Sequence, residues 1–180
     1  MTPAKTFQSG ARQRGLSMIE LLVAVLVLAI GVLGITALQM VSLQNNRGAL
    51  FRAEAVQLAY DMMDRIRANP EGAVPGGAYS GLALADAPPG APDCLGNQCT
   101  QAQMVAFDQA MWKCSLGSYH ANVTCVALRA AGALPSENDQ PGLPNGDGSI
   151  QVDGAGVVRV TVTWDEPDGQ VGTVTIDSQG

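Results

Sequence analysis

The feature that most constrains this chain is Leu21 to Leu38. It is an unbroken apolar run with Thr36 as its only hydroxyl, and Met18 and Ile19 extend it in front. At about 1.5 Å of rise per residue, such a run is just long enough to cross the roughly 30 Å hydrocarbon core of a bilayer. The roughly 140 residues that follow can build a small core, but not one that surrounds a helix of this length. One residue breaks the pattern: Glu20, a carboxylate at the mouth of the run. A carboxylate near lipid is costly, and ordinarily has a functional reason and a partner.

Upstream lies Gly15, after a short leader that carries Lys5, Arg12 and Arg14 and no acid. Residues 1–15 read as a targeting leader outside the folded unit. A secretory signal peptide would have a shorter apolar region followed by small residues at its cleavage site, and Gly31 to Ala37 makes a poor site of that kind. An ordinary single-span anchor explains neither Gly15 nor Glu20.

The leader holds three of the ten basic residues and none of the sixteen acids, so the remainder carries seven against sixteen, a side-chain charge of −9. A basic flank before the span and an acidic body after it orient the leader to the cytoplasm. The acidic body has no basic cluster interleaved with aromatics, so nothing points to nucleic acid as a direct partner.

The order of basic leader, Gly15, Leu16, Ser17, two apolar residues, Glu20 and apolar run resembles the signal of type IV prepilins and type II secretion pseudopilins. The resemblance implies that a dedicated prepilin peptidase cuts between Gly15 and Leu16. It also implies that Leu16 is then N-methylated, and that Glu20, fifth in the mature chain, sets subunit register by pairing with a neighbour's N-terminal amine. Within the pilins, the chain is similar to minor pilins of the PilV type. That likeness rests on AIGVLGITALQ at the end of the span, RIRANP at 65–70, a Cys-x4-Cys before MVAFDQAMWK, the Leu143-Pro144 loop and the strand VRVTVTWDE. It implies a single-pass inner-membrane subunit with a periplasmic body, which joins a fibre through its N-terminal helix beside other minor pilins and the major pilin.

Beyond Gln39 the chain turns amphipathic. Phe51, Ala55, Leu58, Met62 and Ile66 recur at spacings of 4, 3, 4 and 4, which is one helical face. Asn69-Pro70 ends the pattern, because a residue before proline is pushed out of the α region. The expected organisation is therefore a leader at 1–15, a long helix at 16–69 whose residues 16–38 span the membrane, and a globular periplasmic domain at 70–180. Gly31 and Gly34 fall inside the span and are expected to soften it locally, since glycine weakens a helix by about 1 kcal/mol in water.

Residues 70–98 are rich in Gly, Pro and Ala and read as an irregular connection pinned by a disulfide. Thr100 is the candidate N-cap of a short helix with Met104, Phe107, Met111 and Trp112 as its apolar stripe. Val123 to Leu134 reads equally as helix or strand, and Pro135 to Gly148 as a loop. Val158, Val160, Val162 and Trp164 alternate with polar residues as a strand. Glu166-Pro167-Asp168-Gly169 has turn chemistry, and Val171 to Ile176 returns as the second arm of a hairpin. The fold class expected is α+β, pilin-like: one long helix packed on a small antiparallel sheet, with a disulfide-pinned helical insert.

Cys94, Cys99, Cys114 and Cys125 all lie beyond the span, and an even number in an oxidising compartment reads as two disulfides. Sequence leaves three pairings open; the nearest-neighbour set, Cys94–Cys99 and Cys114–Cys125, closes the shortest loops. Spacings of x4, x14 and x10 lack the paired C-x2-C knuckles of zinc sites. The run Asn145 to Ser149 spaces oxygens like the start of a calcium loop, but lacks the required glycine at its sixth position and acid at its twelfth. His120, the only histidine, has no nucleophile motif around it and reads as a surface-loop residue. No phosphate-binding loop follows a strand. Neither enzyme activity nor a metal or cofactor is expected.

Overall fold

A computed structural model of the chain describes Gly15 and residues 17–179. Helix α1 runs from Met18 to Ala68, its first turn closed by the amides of Glu20 and Leu21 on the Ser17 carbonyl. The expected start at Leu16 lies outside the described residues. The chain divides after Leu43 into two units. In the first, every described residue is exposed. Thr36 turns its hydroxyl back onto the Val32 carbonyl at 2.8 Å, so the one polar side chain within the apolar run is satisfied inside its own helix.

The second unit has its own core. Ala55, Leu58, Ala59, Met62, Met63 and Ile66 of α1 are buried, with Phe51 packed at the margin, which is the stripe expected from the spacing. Ile150, Val158, Val160, Val162 and Trp164 complete the same cluster from the sheet. The sheet has three antiparallel strands in the order β1 (Asp147–Val152), β2 (Val157–Asp165) and β3 (Val171–Gln179). Val160 faces Ile150 on one side and Ile176 on the other. The β2–β3 turn closes with the Gly169 amide on the Glu166 carbonyl at 2.9 Å, and Gly169 takes the positive φ that its turn needs. Strand β1 takes Asp147 and Gly148 from the end of the stretch expected as loop, and β3 runs three residues past Ile176.

Two glycines make room for tryptophan rings against the sheet. A Cβ on Gly148 would overlap the Trp112 ring, and one on Gly172 would overlap Trp164.

Helix α2, Gln101–Leu116, starts in a capping box: the Gln103 amide donates to Thr100 Oγ1, and the Gln103 side chain accepts from the Thr100 amide. The apolar stripe expected on α2 is corrected by the packing. Val105, Trp112 and Leu116 enter the main core, whereas Phe107, Ala110 and Cys114 enter a second cluster with Cys125 and Leu128. Met104 and Met111 are only partly buried, at that cluster's edge. Because α2 is covered on two sides, a search for one helical face finds half of each. Val123 to Ala130 is helix α3, capped by Asn122, which settles the open choice between helix and strand.

Candidate functional site

At the start of α1, Gly15 is exposed, Ser17 supplies the first carbonyl, and Glu20 sits in the first helical turn. Leu16, the expected cleavage and methylation residue, lies outside the described residues. A carboxylate in the first turn complements the positive end of the helix dipole. Beyond it, Leu22, Val25, Leu26, Leu28, Val32 and Leu33 are all more than half open. The helix is long and apolar enough to cross a membrane by length and composition. Apart from the adjoining backbone, no described atom lies within 4 Å of where a Cβ would sit on Gly15, Gly31 or Gly34.

The cysteines pair as Cys94–Cys99 and Cys114–Cys125, with Cα separations of 5.6 and 5.3 Å. The second bond ties α3 to α2 inside the smaller core. The first closes only the turn before α2, so it does not pin the whole of residues 70–98. A 3-10 turn at Pro70–Ala73 and a set of polar contacts do that work. The Gln109 amide donates to the Ala78 carbonyl at 3.2 Å, Leu82 forms a bridge with Ile150 of β1, and the Ala85 amide donates to Asp147 at 2.6 Å.

Two charged clusters hold this connection, and sequence reasoning missed both. Lys113 is fully buried and donates to Asp147 at 2.5 Å and to the Ala83 carbonyl at 3.0 Å, with its ammonium 5.3 Å from the Tyr119 ring centre. The only lysine after the leader, set among apolar residues in AMWKCSL, was the available signal. Burial, together with the Asp147 carboxylate, raises the pKa of the Tyr119 hydroxyl. In the second cluster, Tyr79 donates to Asp108 at 2.8 Å and Arg65 reaches the same carboxylate at 3.3 Å. Burial first, and then Asp108, push the Tyr79 phenol well above its ordinary value. Burial works against the charge on Arg65, but Asp61 and Asp108 outweigh it and raise its pKa.

His120 is half-buried rather than a plain surface-loop residue. Its Nε2 meets the Pro141 carbonyl at 2.6 Å and its Nδ1 meets Arg129 at 2.5 Å, so it clips the turn after α2 to a distant loop. The Asn145–Ser149 run does not converge on a cation: Asn145 turns to Asp165, and Asp147 is held by Lys113. Among the described residues no group of three or more His, Cys, Asp or Glu is placed to hold a metal.

Comparison with known sequences gives two matches that adjoin. A family model of the prokaryotic N-terminal methylation motif matches residues 10–36, and one described as type IV pilin Tt1218 matches residues 37–110. No curated protein and no solved structure matches the chain. The first match covers Gly15, Glu20 and most of the apolar run, and the second covers the rest of α1, the polar connection and the first half of α2. Residues 37–110 are thus similar to a type IV pilin, and residues 10–36 carry the N-terminal methylation motif in front of them.

Proposed function

We propose that this chain is a minor pilin of the PilV type, a structural subunit that helps to prime type IV pilus assembly once prepilin peptidase has removed residues 1–15. Residues 16–38 hold it in the inner membrane, the rest of the long helix to residue 69 supports the body, and residues 70–180 form the periplasmic domain. On assembly the span leaves lipid for the helical core of the fibre. Apolar surface exchanges lipid for neighbouring apolar side chains at little net cost, because lipid tails are as apolar as leucine. Glu20 then fixes register by pairing with the methylated amine of Leu16 on a neighbouring subunit. Each group is costly when poorly solvated alone and far less so when paired.

The observation that carries this reading is the pairing of Gly15 and Glu20, five residues apart, in front of a run whose apolar side chains are all open to solvent. Two disulfides in the body support an oxidising compartment beyond the membrane. The likeness of AIGVLGITALQ, RIRANP and VRVTVTWDE to PilV-type chains supports the minor role. Glu20→Ala is expected to be processed and membrane-bound but missing from sheared pili. Incorporation at the wild-type level would overturn the register mechanism. Gly15→Val is expected to leave the unprocessed precursor.

Two alternatives remain distinct. A type II secretion pseudopilin would carry the same signal, and loss of secretion rather than of pili on deletion would favour it. A membrane-anchored binding module would use the helix only as a tether, and its activity would not depend on Glu20.

A further inference from the structure

The two edges of the sheet are treated differently. The outer edge of β1 is covered by the connection from α1: the Ile150 amide donates to the Leu82 carbonyl at 2.8 Å, and the Gly81 amide donates back to Ile150 at 3.4 Å. The outer edge of β3 is bare. Among the described residues, no backbone group of Val171 to Gln179 bonds to another element outside the β2–β3 ladder; the one further contact is local, the Ser178 hydroxyl donating to the Gln179 carbonyl at 3.2 Å.

Proteins normally blunt a long bare edge with lysine, proline, a bulge or an inward-pointing charge. This edge has none of these. Strand β3 is nine residues long, pairs with β2 without a register break, and holds neither proline nor a basic residue. Its one charge, Asp177, is already paired with Arg159 across the sheet at 2.8 Å. At the open start of the strand, Val171 is 67% exposed.

We infer that the β3 edge is an interaction surface for strand addition, and that its partner is the β3 edge of a second copy of this chain. The sequence is self-complementary in one antiparallel register. With Thr175 on the two-fold axis, Val174 faces Ile176, Thr173 faces Asp177 and Gly172 faces Ser178. Aliphatic meets aliphatic on the core face, a hydroxyl meets a carboxylate on the other, and no like charges oppose each other. A single added strand pair is weak in dilute solution. Anchored subunits sharing a membrane face meet at high effective concentration, which is where a contact of this kind forms.

The test uses the full chain in detergent micelles. Thr175→Cys places two thiols across the two-fold axis, and oxidation is expected to yield a disulfide-linked dimer several-fold above that from Thr161→Cys on the central strand. Thr175→Lys opposes two ammonium groups at the axis and is expected to weaken dimers about fivefold, as measured by sedimentation. Thr175→Val should leave them intact. Equal crosslinking at 175 and 161, or dimers unchanged by Thr175→Lys, would overturn the inference.

Discussion

The two stretches of α1 on either side of Leu43 belong to one continuous helix and meet opposite fates. Residues 18–43 are almost wholly apolar and wholly exposed, while residues 55–66 mix charge with apolar side chains and bury six of them. Hydrophobicity alone therefore does not define a core. The second stretch has a periodic stripe, and the chain supplies the sheet, α2 and two tryptophans to cover it. The first has no stripe because every face is apolar, and nothing else in the chain is long enough to surround it. A helix apolar all round calls for an apolar partner outside its own chain, such as lipid or other helices.

That contrast can be broken by truncating buried side chains in the two stretches' surroundings. The largest expected effect is Trp112→Ala, which empties the core where Nε1 bonds the Leu58 carbonyl at 2.9 Å. It should lower unfolding free energy by about 4 kcal/mol in denaturant titration. Asp147→Leu comes next, because it leaves the Lys113 ammonium buried without its counter-charge. A loss of about 3 kcal/mol is expected, with most of it recovered in the double variant with Lys113→Met. Replacing Cys114 and Cys125 together by alanine should cost about 2–3 kcal/mol, since the bond closes a loop of modest length.

A smaller effect concerns pH. Folding raises the Tyr79 phenol above its ordinary value of 10.0, so the folded state favours the neutral form. The stability it gives is fully present below pH 10.0 and is lost as pH rises above that value. Tyr79→Phe should therefore be less stable at neutral pH yet show a flatter alkaline decline, as seen in melting temperature between pH 9 and 11. The smallest effect on stability belongs to the exposed stretch. Leu28→Ala should change the unfolding of the body by less than about 0.5 kcal/mol. A large loss there would mean that the first stretch is part of the folded core, and the contrast would fail.

Much of this was legible in the sequence, for reasons that also explain what was not. Gly15, Glu20 and the apolar run are contiguous, so their pattern needs no tertiary information. The stripe from Phe51 to Ile66 and the alternation from Val158 to Trp164 each face one layer, so a single period describes them. Helix α2 faces two layers, and there the period failed: Val105 was passed over and Met104 was over-valued. The Lys113–Asp147 and Arg65–Asp108–Tyr79 clusters join residues 29 to 43 positions apart, and no local pattern encodes such a meeting. The covered and bare sheet edges were invisible for the same reason, because Leu82 reaches Ile150 from a segment that reads only as loop.

The measurement that bears most directly on the account is the mass of the N-terminal peptide of the protein extracted from membranes. The account predicts a chain that starts at N-methyl-Leu16, with Glu20 fifth in the mature sequence. A chain that starts at Met1, or one cut after the apolar run, would contradict it and leave an anchored or secreted domain without a place in the fibre.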